Sequence, residues 1–443
     1  MNKKWTLHVE NFAKIRKADV EIASLICFVG DNNSGKSYLM SLLWGILTFG
    51  KDLFPKVVTD AKGYRLCETW LKENLNQDTV LTDEVVQMYV SWFNDLLSSN
   101  KKTLVKRIFN YEVEIGKLEI QNYSRNKRVT LRWEDGGERY SARENYIKFP
   151  KRDHVNREDL LKMNAYICWN LLMESIAAPL YTPVIRGRRD REPIYLPASR
   201  TGFMLTYPQL VENALQISYS SEEDINRSTL TQPYVDFLQL ITKFEAKDKI
   251  HKRYQACIEF IEKGMTKGEL LVQKDAMPII KYRPEGNEKA MPLYVASSIV
   301  SEISPLLLLL KSEINFKTII IEEPEAHLHP ELQQKMARLI IMLMNTGTPV
   351  WITTHSDTIL QHMNNMLKLS NHAQKKELMK EYGYSEADLL ERKDIVMYQF
   401  ENVDQGKTDL IALECEKYGF VVPTFNNALE KIVKEVYAFQ EEE

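Results

Sequence analysis

Gly30-Asp31-Asn32-Asn33-Ser34-Gly35-Lys36-Ser37 has the form G-x-x-x-x-G-K-[ST]. Leu25-Ile26-Cys27-Phe28-Val29 leads into it, continuously apolar, as a strand buried on both faces should be. Tyr38-Leu39-Met40-Ser41-Leu42-Leu43-Trp44 follows and reads as a helix. Strand, glycine loop and helix together are the context a phosphate-binding loop requires. Gly30 and Gly35 let the backbone turn its N–H groups inward, and the following helix adds its positive end. The pattern assigns Lys36 to the β- and γ-phosphates and the Ser37 hydroxyl to magnesium. Asn32, Asn33, Ser34 and Tyr38 complete the expected nucleotide-binding set.

A second stretch answers the first. Thr318-Ile319-Ile320-Ile321-Glu322-Glu323-Pro324-Glu325 is an apolar strand tipped with acids. Adjacent carboxylates repel unless a cation or a proton intervenes. Glu322 is therefore expected to bind magnesium, and Glu323 to polarise the attacking water. One helix later, Pro349-Val350-Trp351-Ile352-Thr353-Thr354 reads as another apolar strand, ending at His355. If the two strands are neighbours, His355 reaches the γ-phosphate, where an imidazole senses or stabilises charge. His327 and His329 have no convergent third ligand in the sequence.

The chain has 443 residues, enough for two or three lobes. Its composition, 44% hydrophobic and 27% charged, is that of a globular protein. A net charge of -3 excludes a uniformly basic nucleic-acid glove, so any such contact must be local. Arg186, Arg188, Arg189 and Arg191, with Lys151 and Arg152, form the densest basic cluster. They fit nucleic-acid phosphates, an acidic partner or a merely solvated loop. The five cysteines are scattered, with no C-x-x-C pair, which fits a reducing compartment. No secretory h-region or membrane span is read, so a cytoplasmic protein with no membrane role is expected.

The fold class expected is α/β, with four regions. Residues 1–50 form a first lobe carrying the loop. Residues 51–190 form an insertion, helical with an antiparallel meander at about 111–146. Residues 191–370 form a second lobe carrying the acids and His355. Residues 371–443 close the chain with one strand and helices.

The order of the phosphate loop, Val295-Ala296-Ser297-Ser298-Ile299-Val300-Ser301-Glu302, the 321–330 stretch Ile-Glu-Glu-Pro-Glu-Ala-His-Leu-His-Pro and Thr353-Thr354-His355-Ser356 resembles ABC-type ATPases. Within them it is similar to the RecF/OLD/SMC-like branch, especially the small AAA-like ATPases of phage-defence operons. Tyr195-Leu196-Pro197-Ala198-Ser199-Arg200-Thr201-Gly202 and Gly419–Phe425 share the likeness. The resemblance implies a P-loop NTPase, an ABC-type head with a mixed sheet, an antiparallel β subdomain and a helical insertion. It implies ATP as substrate, Mg2+ as cofactor, and two subunits that sandwich two ATPs as a homodimer or higher oligomer. Ser297, Ser298 and Glu302 then fall in the signature segment that acts in trans, with Ile299 where a glycine is usual. No heptad arms interrupt the two halves, and little chain follows His355 to hold a TOPRIM nuclease. The resemblance thus points to the ATPase subunits of two-component systems such as Septu, PARIS or retron-associated effectors, with the effector in trans. A repair-type nucleic-acid enzyme and an ATP-loaded scaffold with little turnover stay open.

Overall fold

The computed structural model describes residues 3–136, 139–181, 192–218, 230–244, 251–273, 278–403, 406–416, 419–422 and 433–439. In chain order, β1 (Lys3–Phe12), β2 (Ile15–Glu21) and β3 (Leu25–Val29) lead to α1 (Lys36–Phe49). Then come α2 (Lys62–Glu73), β4 (Thr79–Val80), α3 (Asp83–Phe109), β5 (Lys117–Arg125), β6 (Thr130–Glu134), β7 (Ser141–Arg143), β8 (Tyr146–Pro150) and α4 (Arg157–Met173). The chain continues through β9 (Glu192–Leu196), α5 (Arg200–Ser218), α6 (Gln232–Ile241), α7 (Gln255–Ile261), β10 (Gly268–Gln273), β11 (Ile279–Pro284), β12 (Met291–Pro292) and α8 (Ser298–Lys311). It ends with β13 (Phe316–Glu322), α9 (Pro330–Asn345), β14 (Val350–Thr354), α10 (Asp357–Ser370), α11 (Lys375–Tyr382), β15 (Ile395–Asn402), β16 (Thr408–Ala412), β17 (Cys415–Glu416) and β18 (Gly419–Phe420). Residues 433–439 are helical. The contacts divide the chain into two compact units.

The first unit comprises residues 1–23, 41–193 and 315–318. Its antiparallel strands run β5-β1-β2, with Leu7 facing both Val20 and Ile120 in register. Alternation does the work here: Leu7, Val9, Leu118 and Ile120 are all buried. A second sheet runs β4-β6-β8-β7. The helical part is cemented by aromatic rings. Phe54 meets Trp92 edge-on at 5.3 Å, and Tyr89 donates to the buried Asn164 at 2.7 Å.

These pairings correct the meander expected at 111–146. Residues 112–115 form no strand. Lys117–Arg125 pairs with β1 instead of with its sequence neighbours, because β1 presents the matching apolar alternation. β6 and β8 are parallel.

The second unit comprises residues 24–40, 194–314 and 319–443. Its strands run β16-β15-β3-β14-β13-β9. β15, β3, β14 and β13 are parallel neighbours, while β16 is antiparallel to β15, so the sheet is mixed. All five residues of β3 are buried, and each large apolar side chain there contributes about 1.5–3 kcal/mol. β16 was not expected; the tail holds it as well as β15. A separate antiparallel sheet, β10-β11-β12, also belongs to this unit.

The crossover helices have legible ends. α9 begins at Pro330, whose missing N–H is one a first turn does not use. α10 is capped by Ser356, whose Oγ accepts from Ile359 N at 3.1 Å. Arg338 of α9 pairs with the buried Asp388 at 2.5 Å. Among the described residues no helix is long and apolar enough to cross a membrane.

Candidate nucleotide site

The parallel register aligns the functional ends of three strands in the second unit. Glu322 is level with Thr353, and Thr353 with Phe28. The glycine loop, the acids and His355 therefore emerge at one edge, the carboxyl end of the strands, where open α/β sheets carry their ligands.

The loop is built by backbone conformation. Gly30, Asn33 and Gly35 have φ of 141°, 60° and 109°. At Gly30 a Cβ would lie 3.1 Å from both the Cβ and the carbonyl oxygen of Phe400, a tight contact added to a backbone conformation that favours glycine. Thr408 of β16 donates its hydroxyl to Ser34 O at 2.8 Å and fixes the loop from behind. Ser34, Gly35 and Lys36 are buried, while Asn32, Asn33, Ser37 and Tyr38 face solvent. Lys36 Nζ donates to Gly30 O at 2.9 Å, Asp31 O at 2.6 Å and Ser34 Oγ at 3.3 Å. Burial lowers its pKa to about 8, against the opposing pull of Glu323, Asp31, Glu325 and Glu322.

The acid turn is held just as firmly. Glu322 is 1% exposed, and its Oε2 accepts from Ala198 N at 3.2 Å. Its Oε1 is buried with no hydrogen-bond partner among the described residues. That orphaned oxygen and the solvent-facing Ser37 hydroxyl suit a hard, oxygen-seeking cation such as magnesium. Glu323 has φ of 42°, and its N–H donates to Thr353 O at 2.9 Å. Its Oε1 lies 3.5 Å from His355 Nε2. The neighbouring His355 imidazole holds the Glu323 carboxyl below its usual range, outweighing burial, which acts the other way.

Two residues in this site went unassigned at the sequence level. Glu325 Oε1 accepts from the backbone N of His355 at 2.5 Å, and burial raises its pKa. Arg200, 2% exposed, donates to Glu322 O at 2.6 Å and Glu323 O at 3.0 Å. Both stand in the quoted motifs, and a charged residue just past a buried strand, at or before the start of the next helix, was the available signal.

Ser297 and Ser298 are exposed at the start of α8, and Ser297 makes no side-chain cap bond. Glu302 does not join them. It is 1% exposed and pairs with Arg200 and Thr201 of its own chain. Its position one turn inside α8 turns it inward, so it is a core ion-pair residue and not a group presented to another subunit. His327 and His329 are exposed, and among the described residues no cluster of three or more His, Cys, Asp or Glu converges on a metal position. Arg186, Arg188, Arg189 and Arg191 lie outside the described residues. Lys151 and Arg152 are paired with Asp135 at 3.0 Å and Asp159 at 3.2 Å.

Residues 5–360 match the family described as AAA ATPase domain. The chain belongs to the AAA ATPase domain family. The phosphate loop, the acid strand and His355 of this AAA ATPase domain all fall inside the matched span. Its fold is an α/β P-loop ATPase fold with a mixed sheet. No curated protein matches it. Among solved structures it is similar to an SmcHead bound to the C-winged helix domain of ScpA (12% identity, TM-score 0.37, covering 93% of this chain and 98% of that one). It is also similar to the SMC head domain from Thermotoga maritima (10% identity, TM-score 0.36, 94% and 100%). At such scores these likenesses carry no argument; the family match and the strand order do.

Proposed function

We propose that the chain binds Mg-ATP on the 30–38 loop and hydrolyses it. The observation that carries this is the place of Glu323, one strand from the phosphate loop, 3.5 Å from His355 and within electrostatic reach of Lys36. Lys36 and the start of α1 hold the phosphates, and Glu323 takes the proton of the attacking water. Ser37 and Glu322 hold magnesium, which when bound neutralises charge on the β- and γ-phosphates. His355 stabilises charge at the γ-phosphate.

The wider role rests on the family resemblance of the motifs. Two copies close around ATP, with Ser297 and Ser298 of one copy facing the nucleotide of the other. The assembly, a dimer or higher oligomer in the cytoplasm, senses a trigger and restrains or releases a separate nuclease or toxin in anti-phage defence. Ile299, where the signature has glycine, favours a second reading: a scaffold that loads ATP and turns over little.

The test is the mass of the protein with and without Mg-ATP, wild type beside Glu323→Gln, with phosphate release recorded on the same samples. Assembly with ATP in the variant and turnover confined to wild type support the switch. A wild type that assembles and does not turn over supports the scaffold. No effect of nucleotide on mass removes the sandwich.

A further inference from the structure

The guanidinium of Arg200 ties three segments of the second unit together. Nη1 donates to Pro197 O at 3.1 Å and to Glu322 O at 2.6 Å, and Nη2 donates to Glu323 O at 3.0 Å. The same group forms an ion pair with Glu302 of α8, and the two side chains are 3% and 0% exposed. Glu302 also accepts from Thr201 Oγ1, next along from Arg200.

The load on this fork is set by Glu323. A non-glycine residue at φ of 42° sits in the left-handed region, at a cost of about 1–3 kcal/mol, and persists only where its surroundings over-determine it. Glu323 has one backbone donor and one backbone acceptor for that purpose. The donor goes to Thr353 O of β14, and the acceptor takes both Ala326 N of its own turn, at 3.0 Å, and Arg200, whose hydrogen bond alone ties the carbonyl to the α8 side of the site. Glu302 stands one turn along α8 from the exposed Ser297 and Ser298. Any shift of the exposed end of α8 is therefore passed through a dry ion pair to the carbonyl of Glu323. A lone buried charge is costly, so Arg200 must follow Glu302.

We infer that Arg200 is a positioning residue that makes the orientation of Glu323 depend on the placement of α8, so that contact at Ser297 and Ser298 governs hydrolysis. The inference rests on the proposed role of Glu323 as base.

Arg200→Lys tests it, because an ammonium keeps the charge beside Glu302 and cannot span both carbonyls as a planar fork does. Glu302→Gln is the second variant, keeping volume and the Thr201 bond. Amide exchange of the 322–328 turn is expected to quicken about 10-fold in both, with β3 and α9 unchanged. The turnover number is expected to fall about 100-fold in Arg200→Lys, the cost of a misplaced group, with KM held within about threefold. Unchanged exchange and turnover overturn the inference. So does exchange that quickens everywhere along with a lower melting temperature and a raised KM, which describes a merely structural residue. A wild type without hydrolysis, whose Mg-ATP binding ignores Lys36→Ala, removes the functional reading instead. The exchange comparison then still decides whether Arg200 holds the turn.

Discussion

Glu323 and His355 each stand one residue beyond the end of a strand, and those strands are parallel neighbours. The two side chains consequently meet, Oε1 to Nε2, at 3.5 Å. One edge of one sheet thus brings an acid and an imidazole together without any loop having to fold back.

Glu323→Gln is expected to retain ATP and lose hydrolysis by about 100- to 10,000-fold, the range for a removed general base. Phosphate release under single-turnover conditions, beside a filter-binding assay for nucleotide, checks both halves. Equal losses in binding and turnover would point to collapse of the turn.

His355→Ala is expected to move the acid limb of the pH–rate profile. His355 is the leading cause of the lowered Glu323 pKa. Removing it raises that pKa, so the carboxylate is lost at a higher pH and the limb shifts toward neutrality. A profile that keeps its acid limb while falling in height would sever the link between the two residues.

Lys36, with its pKa at about 8, is expected to take up a proton when ATP binds near that pH. The triphosphate favours the ammonium, so affinity weakens as pH rises past about 8. Calorimetry in buffers of different ionisation enthalpy reads the uptake. The sign for folding is opposite. A lysine whose folded pKa lies below its unfolded value costs stability at low pH, and that cost is relieved between about 8 and 10.5. Any excess stability of Lys36→Met over wild type should shrink across the same window.

Gly30→Ala is expected to cost roughly 1–3 kcal/mol from its backbone conformation, with further loss from the contact against Phe400. Urea midpoints measure it. Gly286→Ala, at φ of 76° with open space around the new Cβ, carries strain without a clash and is the matched control.

Ser297→Arg with Ser298→Arg, placed in the Glu323→Gln background, is expected to abolish ATP-dependent assembly and leave nucleotide binding intact. Both positions are exposed, so the monomer should fold. Persistence of the assembled mass would show that another surface joins the copies.

The loop, the acids and His355 were legible because each is a short contiguous stretch whose neighbours declare its secondary structure. That the acid strand and the strand before His355 are neighbours was only a condition in the sequence, and it is the sheet that pairs them. What was not legible depends on partners far along the chain. β5 finds β1, and β6 runs parallel to β8, since register is chosen by matching alternation rather than by proximity. Glu302 was expected to face another subunit. Its helical position one turn past Ser298 is plain in the sequence, but the Arg200 that draws it inward sits on a different element. Glu325 likewise reads as a third surface acid until the backbone of His355 is seen against it.

The left-handed backbone of Glu323 has a consequence for how such a chain drifts. Glycine, and to a lesser degree asparagine, would occupy that position with less strain than glutamate. On the proposed mechanism, the residue that hydrolysis needs most is therefore one that folding alone would replace. Copies released from selection for turnover should lose this glutamate early and become hardier as they do, and a robust, well-expressed relative with glycine at 323 would be a retired enzyme rather than an improved one.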